Sequence, residues 1–296
     1  MTVTEGFLQG VIQGFTEFLP ISSSGHLALF QHFFGLEQNG ALFFSVMLHI
    51  GTLIAVFVAY YKTIVGMIVE FFGMIGDIFK KKFSLKDANE NRKMVLMVLI
   101  TIIPLALLLP IKDAISALSE DDDILVEGVC FLITGALLLI ADRSVKGEKT
   151  AVDMNVNDAL AIGAFQCLAT LPGVSRSGST ISGGLMREFS REFMVKFSFI
   201  MGIPAIVGSA LLEFKDAMDE GLSFSTPLLV GMVTAAVFGL LAIKLIQWLV
   251  KTDRFSIFAY YALTLGVVVL AIGTVEHITG EGIVDAVKLI FSRGVA

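Results

Sequence analysis

The 296-residue chain is 55% hydrophobic and only 16% charged, against roughly 25% charged residues in soluble domains. That composition excludes a soluble globular enzyme and marks an integral membrane protein. The net charge of −6 presents no basic patch for nucleic acid, and it says little about other partners, because orientation in a bilayer follows the placement of Lys and Arg rather than their total.

The opening MTVTEGFLQG has neither a basic stretch nor a small-residue cleavage site, so no removable signal peptide is expected and the spans themselves do the targeting. Residues 6–34 are apolar but break at PISSSGHL (20–27), and 157–186 break likewise at a Pro, Gly and Ser cluster. Each reads as a re-entrant helix–loop–helix that dips into the membrane and returns. A crossing helix needs about 20 apolar residues, and six segments supply it: 41–61, 94–110, 124–141, 193–212, 227–250 and 257–274. Residues 64–79 run into Lys80, Lys81 and Lys82 and read as an interfacial helix, with a seventh span as the alternative. Cys130 and Cys167 lie in apolar surroundings and read as buried thiols rather than a disulfide or metal pair.

Loop charge predicts the sidedness. Loop 62–93 holds seven Lys or Arg, and 142–153 holds Arg143, Lys146 and Lys149, whereas 111–123 sets one Lys beside Glu120, Asp121, Asp122 and Asp123. Basic loops belong in the cytoplasm. The alternation continues through 213–226, acidic apart from Lys215, and 251–256, with Lys251 and Arg254. The first broken region is then entered from outside and the second from inside.

Opposite entry suggests an internal repeat, and a gapless shift of 153 residues lays GVIQGFTEFLPISSSGHL (10–27) over GAFQCLATLPGVSRSGST (163–180), with identities at Gly10/Gly163, Gln13/Gln166, Ser22/Ser175, Ser24/Ser177 and Gly25/Gly178. The predicted fold is an all-α integral membrane protein with an inverted-topology repeat, each half a re-entrant helix–loop–helix plus three transmembrane helices. The halves are residues 1–153, with a cytoplasmic insert at 62–93, and 154–275; residues 276–296 form a C-terminal tail. Inverted repeats bring their broken segments face to face near the midplane, where half-helix N-termini point positive charge at an anion.

The two lips carry the candidate chemistry. Gln13 and Glu17 share one helix face, and an ionisable residue at membrane depth is a functional candidate by default. Ser22, Ser23 and Ser24, followed by Gly25, offer hydroxyls and N–H groups at a helix start. His26 is an acid, base or ligand candidate. Arg176, between Ser175 and Ser177 and before Gly178, has the fork of a phosphate clamp and falls over Ser23 under the shift; Thr180 and Ser179 supply further hydroxyls behind it. Glu127 near an outer end and Lys196 and Lys244 near inner ends are left outside the core of the site, as is His49, a candidate for the cavity wall.

Gln13-x-x-x-Glu17, the FLPISSSGH run at 18–26 and PGVSRSGST at 172–180 resemble the two signature regions of the bacterial undecaprenyl-diphosphate phosphatase family, of the bacitracin-resistance type, over nearly the whole chain. The resemblance implies an intramembrane hydrolase in the bacterial plasma membrane. It would remove the terminal phosphate of undecaprenyl diphosphate, the recycled carrier of peptidoglycan building blocks, in a pocket open to the outer face. It implies an acidic motif at Gln13 and Glu17, a nucleophile at Ser23, the histidine at His26 and the phosphate arginine at Arg176. Gln13 stands where some members have Glu, so a metal held by two carboxylates does not follow.

The residues by themselves give a consistent scheme. Ser23, activated by Glu17 or His26, attacks the terminal phosphorus; Arg176 and the helix N-termini stabilise the charge; and His26 or a metal assists the leaving lipid phosphate. A Mg²⁺ or Ca²⁺ held by Glu17 would need the diphosphate to complete its oxygen shell. No organic cofactor is implied, and a homodimer is compatible with the reading. Two rivals remain. A secondary transporter of an anionic substrate would share the repeat and the midplane helix ends. The phosphatidic-acid type of lipid phosphatase, echoed by SGH at 24–26, would place a second His where Ser182 stands, and is set aside.

Overall fold

The structure, a computed structural model, describes residues 1–36, 41–84, 88–111, 115, 124–219, 225–252, 255–280 and 282. The helices are α1 (Val3–Phe18), α2 (Ser23–Phe34), α3 (Ala41–Ala59), α4 (Tyr61–Phe79), α5 (Glu90–Ala106), α6 (Leu125–Asp142), α7 (Val156–Leu168), α8 (Arg176–Leu185), α9 (Arg191–Asp219), α10 (Thr226–Lys251) and α11 (Ser256–Thr279). A 3₁₀ turn, Leu109–Ile111, follows α5. Among the described residues there is no strand; one isolated bridge pairs Lys149 with Phe189.

By length and apolar composition α5 with its 3₁₀ extension, α6, α10 and α11 can each cross a membrane. The pair α3 and α4 also qualifies but is bent by 90° at Tyr60, the geometry of a broken span or a re-entrant loop. Glu70 and Asp77 tie α4 to Arg92 at the start of α5, at 2.8 and 2.9 Å. The segment expected to cross at 193–212 lies within α9, which covers 29 residues and takes in 213–219, assigned to a loop by charge. Among the described residues α9 is not one of the helices long and apolar enough to cross on its own. Of the tail, 276–279 complete α11, while 281 and 283–296 lie outside the described residues, as do most of 111–123 and the turn residue Arg254.

The halves repeat one another down to their helix caps. Thr2 and Glu5 form a capping box on α1, and Asn155 and Asp158 form the matching box on α7. Each pair satisfies two N–H groups that a helix start leaves unbonded, and the two boxes are related by the same 153-residue shift. Packing follows the same exchange. α1 lies along α10 and α7 along α5, while α3 meets its counterpart α9 and α6 its counterpart α11.

Close approach explains the glycines on these faces. A Cβ at Gly6, Gly10 or Gly14 would strike the backbone of α10 at Pro227, Gly231 or Ala235, and one at Gly163, the counterpart of Gly10, would strike the Thr101 carbonyl of α5. Lipid tails are as apolar as leucine, so helices in a bilayer associate through such close van der Waals contact rather than through hydrophobic burial. The buried core, with Phe18, Leu138, Ile162, Ile181, Phe197 and Phe199, gathers beside the re-entrant loops, whereas Val58, Val69, Val233 and Val267 face outward as lipid contacts would.

Candidate active site

Both re-entrant hairpins turn where sequence chemistry stops a helix. α1 ends at Phe18, ahead of Pro20, and α7 ends at Leu168, ahead of Pro172 and of Gly173 at φ 93°. The next helices start on serine caps: the Ser22 hydroxyl accepts from Gly25 N at 3.2 Å and the Ser175 hydroxyl from Gly178 N at 3.0 Å. Ser22 holds φ 73°, ψ 106°, a conformation that costs a residue with a Cβ about 1–3 kcal/mol and persists only where the surroundings impose it. The imposing contacts are the cap itself and the His26 Nδ1–H, which donates to the Ser22 carbonyl at 2.6 Å.

The two turns are fastened to each other. Gly173 N donates to Ser24 Oγ at 3.3 Å, and Ser177 Oγ donates to the Leu19 carbonyl at 3.4 Å. A Cβ at Gly178 would sit 3.1 Å from the Pro20 carbonyl oxygen. The N-termini of α2 and α8 therefore converge on one cavity of about 250 Å³ lined by Glu17, Ser22, Ser23, Ser24, His49, Ser175, Arg176 and Ser177, with Val46, Ala205 and Ile206 on its apolar wall. Free N–H groups and aligned peptide dipoles give that cavity a positive rim suited to phosphate.

Glu17 is the centre of the polar network. Its Oε2 accepts from Ser23 Oγ at 2.6 Å and from Gln13 Nε2 at 3.1 Å, and its Oε1 accepts from Arg176 Nη2 at 2.5 Å. Gln13 and Glu17 are both buried, so the single helix face predicted for them is the one that carries the site. Arg176 reaches across from the second half. Its Nη1 donates to the Ser198 carbonyl at 3.3 Å, and its guanidinium occupies the space over Gly202 of α9, where any Cβ would collide with it. Thr180 lies behind rather than on the wall: its hydroxyl donates to the Arg176 carbonyl at 2.8 Å and meets Ser198 Oγ at 2.7 Å, fixing the first turn of α8.

His26 departs from expectation. Its ring is absent from the cavity wall; Nδ1 is taken by the Ser22 carbonyl and Nε2 lies 2.7 Å from the Tyr261 hydroxyl, with the edge of Phe131 against it. A carbonyl only accepts, so Nδ1 carries the proton and the neutral ring's Nε2 accepts from Tyr261. His26 is thus a clamp on the strained Ser22 turn. Gly25 fits under the same Phe131 ring. Three participants escaped sequence reasoning: Tyr261 and Gly202 act from spans with no local motif, and His49 of α3, though considered for the wall, was left out of the site.

The residues do not make a metal cage. Among the described residues no three His, Cys, Asp or Glu side chains converge, and both Glu17 oxygens already face donors. A Mg²⁺ or Ca²⁺ would meet one protein carboxylate and would have to take its other ligands from elsewhere.

Comparison with known proteins gives a consistent picture. The family model described as bacitracin resistance protein BacA matches residues 6–268. The chain is 40% identical over 273 residues to an undecaprenyl-diphosphatase of Alkaliphilus metalliredigens, covering 91% of this chain and 98% of that protein. It is 40% identical over 277 residues to undecaprenyl-diphosphatase 4 of Bacillus thuringiensis subsp. konkukian, with 92% and 98% covered. A third relative, an undecaprenyl-diphosphatase of Methanosphaera stadtmanae, is 37% identical over 282 residues, with 93% and 99% covered.

Proposed function

The chain belongs to the family of bacitracin resistance protein BacA, and from that premise we propose that it is a membrane-embedded phosphatase that hydrolyses undecaprenyl diphosphate to undecaprenyl phosphate and inorganic phosphate. This reaction returns the lipid carrier to peptidoglycan synthesis. The observation that carries the reading is one hydrogen-bonded set, Ser23 to Glu17 to Arg176, assembled from both halves on the wall of one cavity.

The geometry supports the following roles. Glu17 Oε2, already accepting from Ser23 Oγ, takes the serine proton as Oγ attacks the terminal phosphorus. The Oγ–P bond forms and the P–O bond to the lipid phosphate breaks, so that lipid phosphate leaves with the bonding electrons. Arg176 and the N-termini of α2 and α8 hold the charge spread over the transferring oxygens. Such transfer needs positioning and positive potential more than covalent assistance from the protein. Water then clears the phosphoserine. Gln13 and Thr180 position Glu17 and Arg176, and His26 positions Ser22. No step is assigned to a metal.

Turnover separates this reading from transport. Purified protein in detergent, where no compartment exists to transport into, should convert a polyprenyl diphosphate to the monophosphate with one inorganic phosphate released per lipid; intact diphosphate at the end of the incubation would instead favour a carrier.

The cavity is read as opening to the outer face, from the basic segments at 62–93 and 142–153 and the acidic ones at 111–123 and 213–226. Single cysteines placed at 116–123 and 220–224 should then react with an impermeant maleimide in intact cells, and cysteines at 82–88 only after permeabilisation. The reversed pattern would overturn the orientation.

A further inference from the structure

The two-step reaction proposed above leaves one proton without an acceptor. In the first step Glu17 takes the proton of Ser23. In the second the Ser23 oxygen must leave phosphorus, and an alkoxide is a poor leaving group unless protonated, so Glu17, 2.6 Å away, returns the same proton by microscopic reversibility. Glu17 is then unable to deprotonate the attacking water. It also sits on the wrong side: displacement at phosphorus is in line, so water enters opposite Ser23 Oγ, from the space the lipid phosphate has vacated, while Glu17 lies beside Oγ itself.

We infer that His49 is the base that activates this water. His49 comes from α3 and forms part of the same cavity wall as Ser23 and Arg176. Its Nδ1 lies 2.9 Å from the Ser45 carbonyl, one helical turn back. A carbonyl cannot donate, so Nδ1 holds the proton and the lone pair of the neutral ring is on Nε2. No hydrogen bond is recorded for Nε2 among the described residues, in contrast to His26, both of whose nitrogens are occupied. Among the described residues His49 is the only histidine on the cavity wall.

The step balances. The water O–P bond forms and the P–O(Ser23) bond breaks, the water proton passes to His49 Nε2, the Glu17 proton returns to Ser23 Oγ, and inorganic phosphate leaves. His49 then loses its proton to bulk water through the open side of the cavity. This inference rests on the Ser23 phosphatase reading, and the experiment separates the two.

Wild type, His49→Ala, His49→Gln and Ser23→Ala are mixed with polyprenyl diphosphate carrying ³²P in the terminal phosphate and quenched in acid over time. Both His49 variants should release about one equivalent of lipid monophosphate per enzyme in a burst and then stall, with steady turnover reduced on the order of a hundredfold and the label recovered on Ser23. The burst itself reports a folded, substrate-binding protein. Steady turnover near the wild-type rate in either variant, or loss of the burst in both, would overturn the assignment of His49. A burst or sustained turnover in Ser23→Ala would instead sink the underlying nucleophile reading.

Discussion

Ser23→Ala should remove turnover, by on the order of 10³-fold or more, and leave the protein folded. The nucleophile is lost outright, and no neighbour replaces it without moving: Ser22 is committed to capping α2 and Ser24 accepts from Gly173 N. Deleting one member of a nucleophile–base unit costs about as much as deleting the whole unit. Folding is spared because Ser23 is the first residue of α2 rather than its cap, and alanine suits a helix. Glu17 keeps its bonds to Gln13 and Arg176, so the stability cost should be about 1 kcal/mol. Phosphate release and thermal unfolding in the same detergent check both halves of this expectation. A variant that unfolds early would make its inactivity uninformative about chemistry, whereas a folded and active one would remove Ser23 from the mechanism.

Arg176→Lys should fail nearly as badly as Arg176→Ala. The fork of Arg176 has distinct tasks for its two ends: Nη2 reaches Glu17 and Nη1 the Ser198 carbonyl, which fixes the plane of the group before any phosphate arrives. Lysine offers a compact charge without that plane. Losing one preorganised charged donor in a water-poor site costs on the order of 3 kcal/mol, about a hundredfold in rate, and the loss should fall on kcat because the lipid tail contributes to ground-state binding. Gly202→Ala supplies a second arm. It leaves Arg176 in the sequence but places a Cβ in the guanidinium's space, so it should depress kcat in the same direction without changing the net charge. Recovery of more than about a third of wild-type kcat by Arg176→Lys would demote Arg176 to general electrostatic attraction.

The parts of the site that could be read from the sequence are those whose cost has no local excuse. Glu17 and Arg176 at membrane depth, and serines beside helix-stopping Pro and Gly, stand out because a bilayer penalises them; the 153-residue repeat then places the two lips face to face without any contact being known. What stayed hidden depends on side-chain direction after an irregular turn. His26 follows three serines and looked like one of their partners, but the positive φ of Ser22 starts α2 at an angle that sends the imidazole toward Tyr261. His49 is embedded in a predominantly apolar helix, where the pattern carries no clear sign of which face meets the cavity. Gly202 makes room for a guanidinium from another helix, a relation between residues 26 apart that no helical or strand period encodes. The extent of α9 was concealed in a similar way, since polar residues at 213–219 continue a helix that hydropathy alone would end.

The central claim is that one half of the chain supplies the nucleophile and base and the other half the charge clamp, for a single phosphorus. A double-mutant cycle on kcat with Glu17→Gln, Arg176→Ala and the combined variant tests it most directly, because the two residues lie 159 positions apart and meet only through the site. Groups acting as a unit on one transition state are strongly non-additive. The combined variant should therefore be slower than the worse single variant by about tenfold at most, with a coupling energy above about 1 kcal/mol. Losses that multiply, leaving the double variant at the product of the two single ratios, would contradict a shared site.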